Sequence, residues 1–231
     1  MNEVLRQEKK FLISQLQYYR YSRDLAGFMI SDPHNRGDGY PIRSLYFDSL
    51  EDRDFEEKED GVELRRKIRL RNYGPESPFA LLEMKQKQGP MQKKRSVRLA
   101  REDAILLTRG EYGILLSYPE PFARECYGIM QMYGYRPKAV VEYQRMAFIA
   151  KENKIRVTFD HHIIGTESSY DIFNPQLCQY PVLDPVLAVL EVKYNGFLLS
   201  YIKDMLQECD RSELSVSKYC LSRTVGKHYY Y

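Results

Sequence analysis

Basic residues alternate along one short segment between Glu63 and Tyr73, which reads Glu-Leu-Arg-Arg-Lys-Ile-Arg-Leu-Arg-Asn-Tyr. If this segment is a β-strand, every second side chain points to the same side, so the basic residues share one face and apolar residues occupy the other. The residues of the basic face are Arg65, Lys67, Arg69 and Arg71. A face with four cations predicts a binding site for a strongly negative ligand, such as a chain of phosphates.

Other predicted strands also carry charge on one face. The residues that share a face within their strands are Glu83, Lys85 and Lys87, then Lys93 and Arg95, then Arg156 and Asp160, and finally Glu191 and Lys193. An antiparallel sheet with one solvated face explains any one such strand. Five strands with mainly Arg and Lys on the polar face favour a sheet that closes into a barrel around a cationic interior. Bound polyanion, metal and water would then offset the buried charge.

The order of predicted elements supports an antiparallel sheet with helices. Strands are predicted over 6–13, 40–49, 63–73, 79–88, 91–100, 138–150, 154–164 and 186–194. Helices are predicted from Ser14, which forms a capping box with Gln17, to about Ile30, and also over 50–60, 102–110, 121–134 and 198–209. Gly89-Pro90 is predicted to form a hairpin turn. No linker divides the chain, so we expect one domain over residues 1–231.

Composition limits the class of protein. The 231 residues are 43% hydrophobic with a net charge of +3, which is enough apolar material for a core and too little charge for a protein that coats nucleic acid. The four cysteines show no metal-binding or disulfide spacing. No apolar run is long enough to span a membrane, and the N-terminus lacks a signal peptide core. We therefore expect a soluble, cytoplasmic protein without nucleic-acid partners and without a membrane segment; its oligomeric state stays open.

A series of motifs resembles one known family. The motifs are Arg6-x-Glu8-x-Lys10, Arg43-Ser44-Leu45-Tyr46-Phe47-Asp48, Lys67-x-Arg69-x-Arg71, Glu83-x-Lys85, Glu142-Tyr143-x-Arg145, Arg156-x-x-x-Asp160, Leu190-Glu191-Val192-Lys193-Tyr194 and Ser217-Lys218-Tyr219. In this order, from residue 6 to about 220, they resemble the catalytic domain of vacuolar transporter chaperone (VTC) proteins. That family belongs to the triphosphate tunnel metalloenzymes. The resemblance implies an α+β fold in which a closed antiparallel β-barrel has helices packed around the outside.

The resemblance also implies an activity. VTC domains transfer the terminal phosphate of ATP to a growing polyphosphate chain with a divalent metal, Mn²⁺ or Mg²⁺, in the tunnel. By motif position, the implied phosphate-binding catalytic residues are Lys10, Arg69, Arg71, Lys85, Arg95, Arg145, Arg156 and Lys218. Further candidates for substrate binding are Lys67, Lys93, Lys193 and Ser217, and Glu191 is the implied metal ligand. Phosphoryl transfer depends mainly on positioning and charge neutralisation, which such residues supply.

Two departures from the family pattern affect these expectations. Many tunnel enzymes begin with Glu-x-Glu-x-Lys, whereas this chain has Arg6 at the first acidic position, as is usual for the VTC branch. Metal binding then depends on Glu191, with Glu8 and Glu83 as second candidates. Well-studied eukaryotic members also place a lysine where this chain has Ser215.

Three functions remain open, in decreasing order of support. The first is ATP-dependent polyphosphate polymerisation. The second is hydrolysis of tripolyphosphate or a nucleoside triphosphate in the same tunnel, because the same cations serve transfer to water. The third is a non-catalytic binder of polyphosphate or RNA, which Glu191 weakens, because a pure anion binder gains nothing from a carboxylate among cations.

Overall fold

The computed structural model describes residues 7–89, 91–209 and 217–227, with side chains described as far as residue 224. Arg6, Pro90 and Ser215 therefore lie outside the described residues. The strands are β1 (Gln7–Ser14), β2 (Ile30–Ser31), β3 (Tyr40–Asp48), β4 (Leu64–Asn72), β5 (Phe79–Gln88), β6 (Met91–Ala100), β7 (Arg136–Ile149), β8 (Arg156–Thr166), β9 (Tyr180–Pro181) and β10 (Leu187–Tyr194). The α-helices are α1 (Gln15–Phe28), α2 (Arg53–Glu59), α3 (Arg101–Thr108), α4 (Pro121–Met132), α5 (Ser200–Glu208) and α6 (Lys218–Lys227). Short 3-10 helices cover Tyr112–Ser117 and Glu152–Lys154.

The strands form a large antiparallel sheet with the hydrogen-bonded order β1-β10-β8-β7-β3-β4-β5-β6, and β2 pairs with β7 and β9 with β8. The predicted α+β class is therefore confirmed. The predicted closure is not: among the described residues this order has two free ends, and hydrogen bonds do not close the sheet into a barrel. None of the described helices is both long and apolar enough to cross a bilayer.

The chain groups into two compact units. The first unit comprises Met1–Pro41, Tyr143–Ile163 and Pro181–Lys218, and the second comprises Ile42–Glu142, Ile164–Tyr180 and Tyr219–Tyr231. The single domain over residues 1–231 stays a prediction.

In the first unit, the apolar faces of β1, β8 and β10 pack against α1 and α5. Phe11, Phe159 and Leu190 are buried there, together with Tyr18 of α1 and Ile202 of α5. The predicted capping box starts α1: the Gln17 amide donates to Ser14 Oγ, and the Ser14 amide donates to Gln17 Oε1. Burial of one face of each strand leaves the other face for polar side chains.

In the second unit, the apolar faces of β3 to β6 pack against α3, α4 and the Tyr112–Ser117 helix. Ile68, Leu70, Leu82 and Met84 are fully buried in this core. Burying side chains of this size contributes about 1.5–3 kcal/mol each. Because a one-residue slip would turn these side chains to the other face, the core holds the register of the sheet.

Two local features position charged residues. Gly39 has a φ of +119°, and a Cβ there would collide with the carbonyl oxygen of Arg145, so the close approach of these two segments requires glycine. At the start of α2, the buried Asp48 carboxylate accepts from the amides of Asp54 and Phe55 at 2.8 and 2.9 Å. The N-cap residue itself makes no side-chain hydrogen bond, so Asp48, which lies before the helix in the sequence, takes over the capping of these amides.

Candidate functional site

The polar face of β4 in the second unit carries Lys67, Arg69 and Arg71, opposite to its buried apolar face. The register places Arg69 between Tyr46 on β3 and Glu83 on β5. Side chains directly opposite each other in adjacent strands share one face of the sheet. Three neighbouring strands therefore bring polar side chains together at this point.

The same face continues onto β5 and β6. Lys67 lies opposite Lys85, and Lys85 lies opposite Lys94 of β6. The predicted residues Lys67, Arg69, Arg71 and Lys85 are therefore on one face, and Lys94 joins them. Lys94 was not among the residues selected from the sequence.

Glu83 is the carboxylate at the centre of this face, and it is buried. Arg69 Nε lies 2.7 Å from Glu83 Oε2, Arg71 Nε lies 3.8 Å from the same oxygen, and Lys94 forms an ion pair with Oε1. Burial alone would raise the pKa of Glu83, but these three cations outweigh burial and hold its pKa far below the usual range. Three cations share one carboxylate, so the cluster retains positive charge that an anion can neutralise.

Arg95 and Lys93 lie elsewhere. Arg95 is opposite Met84 in the register, so its side chain is on the face that packs against α4. There it forms a two-pronged ion pair with Glu125 and lies 5.0 Å from the centre of the Phe122 ring. Lys93 shares this face and helps to lower the pKa of Glu125. The structure does not bring these two residues to Glu83, and we leave both out of the site that we propose.

A second charged cluster lies in the first unit, around Glu191. The register places Lys10 of β1 and Thr158 of β8 on either side of Glu191 of β10. Lys10 Nζ lies 2.7 Å from Glu8 Oε1 and 3.5 Å from Glu191 Oε2, and Lys193 forms an ion pair with Glu191 Oε1. Burial alone would raise the pKa of Glu191, but Lys193 and Lys10 outweigh it and keep the pKa well below its normal value. The predicted residues Glu8, Lys10, Glu191 and Lys193 therefore form one cluster.

Asp160, also in the first unit, holds two predicted phosphate-binding residues together. Arg145 Nε and Nη2 donate to the two Asp160 oxygens at 2.6 and 2.7 Å, and Lys218 Nζ lies 2.6 Å from Oδ2. Asp160 is completely buried, which alone would raise its pKa, but Arg145 and Lys218 lower the pKa to about 2. Arg145 and Lys218 also lie over the Tyr143 ring, at 5.3 and 4.7 Å from its centre.

Arg156 lies on the same face of β8 as Thr158 and Asp160, as the alternation predicts. Its Nη2 donates to Asp32 Oδ2 at 2.9 Å and to the Tyr40 hydroxyl at 3.1 Å. Its Nε is buried and has no hydrogen-bond partner among the described residues. The described residues therefore leave one donor of the Arg156 guanidinium unpaired. Ser217 is partly buried next to Lys218.

The carboxylates differ in how well they fit a metal ion. Within the described ranges no group of three or more His, Cys, Asp or Glu side chains could hold a metal. The buried Glu191 carboxylate contacts two lysines, Lys10 and Lys193, and Lys10 also contacts the Glu8 carboxylate, so the two carboxylates lie around the same ammonium group. A divalent ion bound by one or two carboxylates and by substrate phosphates needs no more protein ligands than these. Glu83 fits less well, because three cations already contact it.

Comparison with known proteins gives a family and a fold. The VTC domain family matches residues 5–225 of the chain. No curated protein sequence matches it.

Among solved structures, a putative adenylate cyclase from Bacillus halodurans is similar, with 12% identity over 94% of this chain and 96% of that one, and a TM-score of 0.57. A putative adenylyl cyclase from Hippeastrum, described as having a dominant triphosphatase activity, is 12% identical over 95% of this chain and 96% of that one, with a TM-score of 0.55. At such low identity these likenesses concern the fold.

Proposed function

Because this chain belongs to the VTC domain family of the triphosphate tunnel metalloenzymes, we propose that it transfers the terminal phosphate of ATP to a growing polyphosphate chain. The observation that carries the proposal is the sharing of Glu83 by Arg69, Arg71 and Lys94. Such an excess of cations is costly without a partner, because each charge has been moved partly out of water. A chain of phosphates supplies repeated negative charge that cations on neighbouring strands can share.

The two types of cation have different roles in this proposal. Arg69 and Arg71 offer planar groups that each bind two phosphate oxygens, whereas Lys67, Lys85 and Lys94 provide point charges. Together they hold the phosphate chain in place and stabilise the charge that develops during transfer.

In the first unit, Lys10, Arg145, Arg156, Lys193 and Lys218 are proposed to bind further phosphates of the substrate or product. Asp160 holds Arg145 and Lys218 in position through its two buried oxygens. A bidentate pair of this kind limits the rotamers of the arginine, so the group is ordered before the substrate binds. Ser217 is retained as a substrate-binding candidate.

Glu191, with Glu8, is proposed to hold a divalent cation, Mn²⁺ or Mg²⁺, together with oxygens of the substrate. When bound, the ion would neutralise phosphate charge and so favour attack on the terminal phosphate. Glu83 is proposed to serve as counter-ion of the arginines and not as a metal ligand. The closed barrel that the sequence predicts is part of this proposal: its inward-facing cations would line a tunnel for the phosphate chain.

A second candidate function is hydrolysis of a triphosphate at the same residues. The similar fold of the Hippeastrum protein, with its dominant triphosphatase activity, favours it. Transfer to water and transfer to phosphate need the same cations and differ in the acceptor that reaches the terminal phosphate.

Incubation with ATP and Mn²⁺ or Mg²⁺ separates these functions. A polymerase produces ADP together with a ladder of polyphosphate on a gel. ADP and inorganic phosphate without a ladder would indicate hydrolysis, and tight binding of polyphosphate without turnover would indicate a binder. Arg69→Ala and Arg71→Ala should each lower the rate by about 10²-fold. Arg95→Ala removes the same charge on the opposite face and is the matched control.

A further inference from the structure

Tyr46 lies among the cations of the second unit although no phosphate-binding role was expected for it. It is on β3, directly opposite Arg69 of β4, and its side chain is buried. Arg69 Nη1 donates a long hydrogen bond of 3.4 Å to the Tyr46 hydroxyl oxygen. The oxygen therefore sits at the edge of the cationic cluster.

A second tyrosine holds the Tyr46 ring in place. The Tyr219 ring stacks on it with 5.1 Å between ring centres and 23° between planes. The Tyr219 hydroxyl donates to Asp48 Oδ2 at 2.6 Å, and Phe55 contacts the Tyr219 ring edge-on. Because Tyr219 is buried and bonded to Asp48, the stack restricts the Tyr46 ring.

The two stacked tyrosines have opposite electrostatic surroundings. Burial, followed by the charge of Asp48, raises the pKa of Tyr219. Burial also acts to raise the pKa of Tyr46, but Arg69, Arg71 and Lys67 outweigh it and lower the pKa below its usual value. The same positive field polarises the Tyr46 O–H bond and makes it a stronger donor to a negative group.

The hydroxyl proton of Tyr46 is available for a ligand. A phenol oxygen accepts and donates, and the described residues include no acceptor for the proton, while Arg69 occupies the acceptor side. We propose that the Tyr46 hydroxyl donates a hydrogen bond to the same phosphate group that Arg69 and Arg71 bind. Tyr46 then contacts substrate directly, and Tyr219 acts as a positioning residue behind it. This inference rests on the proposed function, because it needs a phosphate at the cluster.

Binding of tripolyphosphate in EDTA, measured by calorimetry, tests the assignment without turnover. Tyr46→Phe should bind about 10- to 100-fold more weakly than the natural protein, because a hydrogen bond to a charged group is lost. Tyr112→Phe is the matched control: Tyr112 is buried on the other side of the sheet, and its hydroxyl donates to the Tyr135 carbonyl. Equal binding by the natural and Tyr46→Phe proteins overturns the role of Tyr46. Failure of the natural protein to bind tripolyphosphate overturns the proposed function itself.

Unfolding by urea with and without tripolyphosphate separates substrate contact from a structural role. Tyr46→Phe should unfold at a similar urea concentration without ligand but gain less stability when ligand is added. Tyr112→Phe should lose stability without ligand and keep the full gain. A Tyr46→Phe protein that is less stable without ligand yet keeps the full gain would show a purely structural tyrosine and overturn the proposal.

Discussion

Lys94 and Arg95 are neighbours in sequence, but Lys94 forms an ion pair with Glu83 on one face of β6 and Arg95 binds Glu125 on the other. We predict that Lys94→Ala lowers kcat/KM for ATP by about tenfold or more, because a charge next to the bound phosphates is lost. Arg95→Ala should leave kcat/KM within about twofold. Steady-state kinetics on both variants measures this. If both variants lost kcat/KM equally, the face of β6 on which a cation lies would not determine its contribution to activity.

Glu83 balances its cations only in part, so its removal should have opposite effects on stability and on anion binding. We predict that Glu83→Gln lowers the free energy of unfolding by about 3–5 kcal/mol, because buried cations lose their partner. Tripolyphosphate should then stabilise the variant more than it stabilises the natural protein. Urea unfolding with and without the ligand measures both effects.

Glu125→Gln is the control for this prediction. It breaks a more exposed pair with Arg95, so the expected cost is below about 1 kcal/mol. If the ligand stabilised Glu83→Gln less than the natural protein, the phosphate would not be binding to the cations around Glu83.

Glu191 is expected to be needed for metal binding but not for phosphate binding. Glu191→Gln should lower Mn²⁺-dependent turnover by about 10²-fold or more, because the carboxylate proposed to hold the ion is lost. Binding of tripolyphosphate in EDTA should persist, since Lys10 and Lys193 remain. Electron paramagnetic resonance of free Mn²⁺ would measure metal affinity. Unchanged Mn²⁺ affinity and full activity would remove Glu191 from the metal site.

Asp54 gives a prediction for pH dependence. Burial and the nearby charge of Asp48 raise the pKa of Asp54 to about 8, although the Tyr135 hydroxyl donates to its Oδ1, and Oδ2 is buried without a partner among the described residues. The folded protein therefore holds a proton that the unfolded chain releases near pH 4. The stability from this group is complete below about pH 4 and declines as the pH rises to about 8.

Asp54→Asn keeps the shape of the side chain without the ionisation. We predict that it raises the free energy of unfolding at pH 8 by a few kcal/mol, on the order of the linkage effect, and changes stability little at pH 4. Urea unfolding at both values measures this, and activity should be unchanged because Asp54 lies at α2. A variant that is equally destabilised at both values would contradict the assignment.

The alternation of charge predicted most strands and the polar face of β4, because side chains alternate wherever an apolar core lies on one side. Alternation alone did not separate Arg95 from Lys94, because basic residues occur on both faces of β6. The predicted turn at Gly89-Pro90 contained the missing information: Gln88 pairs with Met91, and this register places Lys94, not Arg95, on the face of Glu83. The hairpin register set by this turn, combined with the alternation of side chains, predicts that Lys94 shares the face of Glu83.

Other features depend on contacts between distant parts of the sequence. Helix α6 was not predicted, since its Ser, Thr and Gly residues favour helices poorly. Its described side chains are held by tertiary partners: Tyr219 by Asp48, and Arg223 by Asp52 and Glu167. The roles of Asp160 and Tyr46 likewise follow from register and packing and cannot be obtained from local patterns.

The Asp48 carboxylate accepts hydrogen bonds from amides in the first turn of α2 and from the Tyr219 hydroxyl, and these donors are far apart along the chain. A shortened protein that lacked Tyr219 would leave part of this carboxylate without a donor and expose the ring of Tyr46. Loss of the C-terminal end of the chain would therefore change the structure at α2 and next to the arginines of β4. Proteolytic removal of the C-terminal end should therefore abolish activity under conditions in which the rest of the protein stays folded.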